Sequence, residues 1–211
     1  IIAILVGVIL LSIFFGISFI PNKISGLIDT FIKPITGRWN TTVAENRQPY
    51  FTEWAGSFGP YLKNIPILFW LFFIGSIILF KDMLKPLLKK DNWILTGLYV
   101  LFFLGLVFSR YAPHPALLDG EGFISRLFYF GSSLLLIGTL IYLYIKYHKQ
   151  GLRKFEEIDF EYILLFSLFV LTLFTARSGV RLIMGLGPIA PIFVSFLIIN
   201  SFEKFRVTKE E

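Results

Sequence analysis

Cysteine is absent from the 211 residues, which excludes disulfides, thiolate metal sites and a cysteine nucleophile. Histidine occurs twice, at His114 and His148, too few to expect a metal cage built on imidazoles. Charge is scarce too: Asp, Glu, Lys and Arg make up 16% of the chain, against about 25% in an ordinary soluble domain. There is no glycine-rich phosphate loop, no Asp-x-Asp pair and no Ser/His/Asp constellation, and nothing points to nucleic-acid recognition. Apolar residues, by contrast, are abundant: 55% of the chain is hydrophobic, 25 residues are Phe, and the mean hydropathy is +0.73. They come in long blocks rather than at amphipathic spacing. That excludes a soluble globular domain and equally a disordered chain.

The uncharged or nearly uncharged blocks cover 1–22, 64–80, 92–109, 127–145, 162–176 and 182–202. A helix of about 20 residues, rising about 1.5 Å per residue, crosses a hydrocarbon core of about 30 Å. Read as one helix, 162–202 would be about 60 Å long. A break is therefore expected at Arg177-Ser178-Gly179-Val180-Arg181. The expected fold class is an all-α membrane protein, a polytopic bundle of about six spans with one large loop, and both ends on the same side. Lysine and arginine set the orientation, because short cytoplasmic loops carry an excess of them. Lys81, Lys85, Lys89 and Lys90 crowd the loop 81–91. Lys146, Lys149, Arg153 and Lys154 lie in 146–161, and Lys204, Arg206 and Lys209 in the tail 203–211. These segments are assigned to the cytoplasm, and the net charge of +6 is read as their signature. The loops 23–63 and 110–126 are then external, in a multi-pass protein of the cell membrane. The chain starts Ile1-Ile2-Ala3 without Met, and its first block has neither a basic leader nor a cleavage site, so a piece of a longer protein is expected.

The loop 23–63 is far longer than an ordinary connection. Gly26, Pro34, Gly37, Pro49, Gly56, Gly59 and Pro60 punctuate it, while Trp39, Tyr50, Phe51, Trp54, Phe58 and Tyr61 supply aromatic area for packing or for interfacial anchoring. In its middle, Glu45 sits in Thr42-Val43-Ala44-Glu45-Asn46-Arg47-Gln48-Pro49. A loop carboxylate is on composition a solvated surface group, but this one stands in an aromatic-rich loop between membrane spans. Arg177 and Arg181 are the other candidates. A charged side chain within an apolar stretch costs about 2.5–3.5 kcal/mol on insertion scales, and inside-positive bias does not explain arginines at an external helix end. The guanidinium fork suits phosphate oxygens, and snorkelling toward headgroups is the competing use. Asn40-Thr41-Thr42 is formally a glycosylation acceptor, read here as coincidence. His114, Asp119 and Glu121 read as a polar turn. Gly131, Gly138, Gly185 and Gly187 read as helix-packing positions, with Pro188 and Pro191 marking a kinkable last span.

Thr42-Val43-Ala44-Glu45 resembles the Thr-Ile-X-Glu motif in the external loop of oligosaccharyltransferase catalytic subunits, and Gln48-Pro49 with Trp54 resembles its continuation. A second stretch, Arg177-Ser178-Gly179-Val180-Arg181-Leu182-Ile183-Met184 followed by Pro188, is similar to the family's Gly-Val-x-Val-Arg-Leu segment. The resemblance implies a GT-C-type glycosyltransferase fold. It also implies transfer of an oligosaccharide from a dolichol-type pyrophosphate carrier to Asn in Asn-x-Ser/Thr. Glu45, with Thr42, Val43 and Ala44, would serve the acceptor-asparagine site, the divalent metal (Mn2+ or Mg2+), or both. Arg181 would contact the carrier's pyrophosphate, with Arg177 one turn earlier left open. Loop 23–63 would close over the acceptor peptide. The implied partners are a lipid-linked oligosaccharide, an acceptor polypeptide and membrane lipid.

The resemblance covers about 40–60 and 162–200 by motif and the spans between by architecture alone. The hairpin of 92–109 and 127–145 widens the spacing between the motifs, as in some archaeal members. The family's Asp-bearing amino-terminal loops and its Trp-Trp-Asp-Tyr-Gly domain are not in these residues, so most metal ligands are expected elsewhere and the chain alone is expected to be inactive. Another polyprenyl-phosphate-sugar glycosyltransferase is the alternative. A transporter is a more distant one, since 177–181 has no polar partner cluster in another span.

Overall fold

The computed structural model of the protein describes residues 16, 18–32, 47–59, 61–113 and 115–210. The motif residues Thr42, Val43, Ala44 and Glu45 lie outside the described residues, as does His114. The chain divides into two units, Ile1–Arg47 and Gln48–Glu211. In the first, helix α1 covers Phe19–Ile32 and so runs across the expected boundary between the span 1–22 and the loop 23–63. Its N–H groups begin pairing at Gly16, where the Phe19 amide donates to the Gly16 carbonyl at 3.0 Å.

The second unit holds α2 (Phe51–Ser57), α3 (Ile67–Met83), α4 (Lys89–Phe108), α5 (Phe123–Lys149), α6 (Phe160–Ser178), a 3₁₀ helix (Val180–Leu186) and α7 (Ala190–Glu210). No strand occurs among the described residues. Among the described residues three helices, α4, α5 and α6, are long and apolar enough to cross a membrane; the 3₁₀ helix and α7, bent by 44° at their junction, make a fourth if counted as one broken span. Helix α3 has 17 residues, about 26 Å, a little short of a hydrocarbon core. The apolar side chains point outward as well as inward: Leu134, Leu135, Ile141 and Tyr142 on α5 and Leu164, Leu168 and Leu171 on α6 are all exposed. A helix apolar all round makes physical sense where its outer face meets lipid.

Phe72, Phe103, Phe169 and Phe193, from α3, α4, α6 and α7, meet at the centre with ring centroids 4.8–6.2 Å apart. Two glycines allow the backbones to approach. A Cβ on Gly75 would overlap the Phe193 carbonyl of α7, and one on Gly105 would overlap the Ser132 hydroxyl of α5. Of the packing positions expected from sequence, added Cβ atoms at Gly138 and Gly185 would meet open space, one at Gly131 only Leu127 at 3.9 Å, and one at Gly187 the Met184 carbonyl of its own turn at 3.0 Å rather than another helix. A glycine in an apolar run signals permission for close approach, and which helix takes it up depends on tertiary neighbours.

The break expected at 177–181 is present. Helix α6 ends at Ser178, Gly179 is extended, and the 3₁₀ turn carries Arg181 away. Near this end Thr172, Thr175 and Ser178 return their hydroxyls to carbonyls three or four residues back, which keeps them satisfied on an apolar helix. The polar turn is also present: Asp119 Oδ1 accepts the Glu121 and Gly122 amides at 2.8 Å just before α5 begins.

Candidate functional site

Helices α4 and α6 both end, and α5 begins, at the same end of the bundle. There the chain returning from the 23–63 loop docks. Helix α2 presents Phe51 and Trp54 on its inner face, and Phe58, the residue just past its end, continues the same spacing. Phe51 stacks on Phe108 at 4.7 Å and on Tyr111 at 5.6 Å, Phe58 stacks on Phe72 at 4.9 Å, and Trp54 is fully buried. Of the two uses foreseen for the loop aromatics, these three take inward packing. Glu53 accepts the Tyr50 amide at 2.6 Å, one half of a capping box at the start of α2.

Two arginines lie beneath this docked segment. Arg177, at the last turn of α6, is 7% exposed and Arg110, just past α4, is 5% exposed. Arg177 Nη1 donates to Gln48 Oε1 at 3.0 Å and Nη2 to Ser109 Oγ at 3.5 Å, with the guanidinium carbon 5.5 Å from the centre of the Tyr129 ring. Arg110 Nη2 donates to the Tyr50 hydroxyl at 3.2 Å, and the same guanidinium stands 4.5 Å from the centre of the Tyr50 ring. The Arg110 carbonyl accepts the Phe51 amide at 3.2 Å. Gly120 makes room for the Arg110 stem: a Cβ there would come within 2.9 Å of Arg110 Cγ. The arginine charges repel each other. Among the described residues neither has a carboxylate partner, and Arg110 Nε and Nη1 and Arg177 Nε are buried without a hydrogen bond.

The opposite end of α4 and α5 holds a buried carboxylate instead. Asp91 Oδ2 accepts the Tyr147 hydroxyl at 2.7 Å and Lys146 Nζ at 3.4 Å, and the Tyr147 oxygen accepts the Leu88 amide at 3.2 Å. Asn92 donates to the Lys81 carbonyl at 3.1 Å. This network is balanced in charge and satisfied in hydrogen bonds.

Of the residues singled out from sequence, then, Arg177 is buried and joined to Gln48, and Arg181 sits exposed on the 3₁₀ helix beyond Gly179. The contact brings Gln48, in the continuation of the first motif, to Arg177 at the start of the second stretch, 129 positions away in the chain. Arg110 falls in the external loop 110–126 and was not singled out from sequence; the available signal was its place directly after Phe108-Ser109, before any turn residue. Among the described residues no three His, Asp or Glu side chains gather as metal ligands. By themselves the described residues do not make up the divalent-metal site that the resemblance implies. Comparison of the chain with protein families, with curated proteins and with solved structures found no match.

Proposed function

We propose that the chain is part of a membrane oligosaccharyltransferase of the GT-C type, with about six spans and the 23–63 loop on the external side. The observation that supports this reading is the Arg177–Gln48 hydrogen bond, because it joins two stretches that each resemble the same family on separate grounds. In the reaction, the side-chain amide nitrogen of the acceptor Asn bonds to the anomeric carbon of the sugar. The bond to the carrier oxygen breaks, the pyrophosphate leaves with the electron pair, and the nitrogen gives up one of its two protons to a carboxylate or to water. The amide lone pair is delocalised into its carbonyl, so a carboxylate that holds the amide aids the attack; Glu45 has that role here. The leaving pyrophosphate needs positive charge, and Arg181 supplies it through a fork that stays protonated when desolvated.

The test is transfer of lipid-linked oligosaccharide to an Asn-x-Ser peptide by the full-length protein in lipid. Glu45→Gln is expected to reduce transfer by at least about 100-fold at unchanged expression. Arg181→Ala should weaken use of the donor, and Arg181→Lys should restore only part of it, since it keeps charge and loses the fork. Wild-type protein that never glycosylates the peptide, or Glu45→Gln protein with full turnover, overturns the reading.

A further inference from the structure

We infer that Arg110 and Arg177 form a two-arginine clamp that positions residues 48–51, the arm on which the long loop returns to the bundle. The attachments fall on nearly every residue of that arm. Gln48 is held by Arg177 through its side chain, Pro49 is buried, Tyr50 is held by Arg110 through its hydroxyl and its ring face, and the Phe51 amide is held by the Arg110 carbonyl. Phe51 carries one of the first N–H groups of α2, which has no partner within its own helix, so the Arg110 carbonyl satisfies a group the helix leaves orphaned. The rings Phe51, Trp54 and Phe58 dock α2 itself. The Tyr50 backbone is tied to the helix by the Glu53 carboxylate and by its own carbonyl. The guanidiniums hold what the helix does not, the Tyr50 side chain and Gln48.

The arrangement is costly in a way an ordinary anchor is not. Two repelling cations sit at 5% and 7% exposure with three N–H-bearing nitrogens unmet. Burying charge without an opposite partner carries a penalty that apolar side chains of similar volume avoid. Apolar contacts, however, are non-directional. Hydrogen bonds from a planar guanidinium set both the place and the register of the chain that they grip. Ser109 and the Tyr129 ring orient Arg177, and Gly120 gives Arg110 its room. The clamp is therefore drawn from the ends of α4 and α6, the start of α5 and the turn between α4 and α5. Arg110 and Tyr129 belong to the hairpin that departs from the simpler family pattern, so the hairpin contributes half of the grip. Glu45 precedes Gln48 by three residues in the chain. The clamp's link to turnover rests on the oligosaccharyltransferase reading; the grip itself does not.

Hydrogen exchange of the full-length protein in lipid nanodiscs, read for residues 47–58, tests the grip without reference to activity. Gln48→Ala and Tyr50→Phe are each expected to speed exchange there about 5- to 10-fold, and together more than either, with exchange in α3 and α6 unchanged. Gln48→Glu, which gives Arg177 a carboxylate, is expected to slow it. Should Arg177→Met fail to fold, these three variants still decide the matter. In transfer assays Gln48→Ala and Tyr50→Phe should lower kcat about 10-fold while donor KM holds, and Arg177→Lys should keep part of the activity that Arg177→Met loses. Faster exchange in a protein that glycosylates nothing would leave the clamp standing and sink the oligosaccharyltransferase reading. Exchange that is unchanged in Gln48→Ala and Tyr50→Phe overturns the clamp, whatever the transfer assay shows.

Discussion

Helix α4 carries a buried charged residue at each end, and the two ends treat it in opposite ways. Asp91 at the start has two donors, one of them the Lys146 cation, and the tyrosine that serves it is itself satisfied by the Leu88 amide. Arg110, just past the other end, has one donor group engaged by Tyr50, a second arginine nearby, and two nitrogens left over. A balanced network holds helices together and asks for nothing further. An unbalanced one spends stability on geometry. The difference separates the end that fastens the bundle from the end that receives the loop.

Four substitutions sharpen or break that contrast, taken from the largest expected effect to the smallest. Trp54→Ala removes the ring on which α2 docks beside the arginines. It should cost about 3–5 kcal/mol, read as a lower melting midpoint in detergent, and should free residues 48–58 to proteolysis. Arg110→Met replaces a buried cation, which has no carboxylate partner among the described residues, with an apolar side chain of similar length. Global stability should hold or rise by about 1–4 kcal/mol while transfer falls. At the balanced end the sign reverses: Tyr147→Phe leaves Asp91 short of its best donor and the Leu88 amide unpaired, so stability should fall by about 1–3 kcal/mol with transfer per folded molecule unchanged. Lys154→Ala, which breaks an exposed i,i+3 pair with Glu157, should change neither quantity by more than about 1 kcal/mol. A loss of stability in Arg110→Met as large as that in Tyr147→Phe would erase the distinction between the ends.

Much of the bundle was legible because hydropathy blocks and helix breaks have local causes. The blocks at 92–109 and 162–176 became α4 and α6 within a few residues, and the break fell at Gly179 as its neighbours implied. Limits drawn at charges came out short. Helix α5 starts at Phe123 and runs to Lys149, past Arg126 and Lys146, because a charge ends a hydrophobic run without ending a helix. The site was legible only in part. Arg177 stood out as a cation in an apolar stretch. Arg110, one residue past such a stretch, looked like a loop charge, since its burial comes from Tyr50 and Gly120, each near it only in the folded chain. Asp91 was hidden in the same way among the lysines of its loop. Periodicity reports what a residue's own helix does, and these three residues are defined by other elements.

The most direct measurement is a double-mutant cycle between Gln48 and Arg177, with transfer to an Asn-x-Ser peptide as the readout. The single variants Gln48→Ala and Arg177→Met and the double variant are compared with the full-length protein. If the hydrogen bond between them joins the two halves of one site, the losses overlap and the coupling is about 1 kcal/mol or more. Losses that add to within about 0.5 kcal/mol would mean that the residues act independently, and would contradict the account.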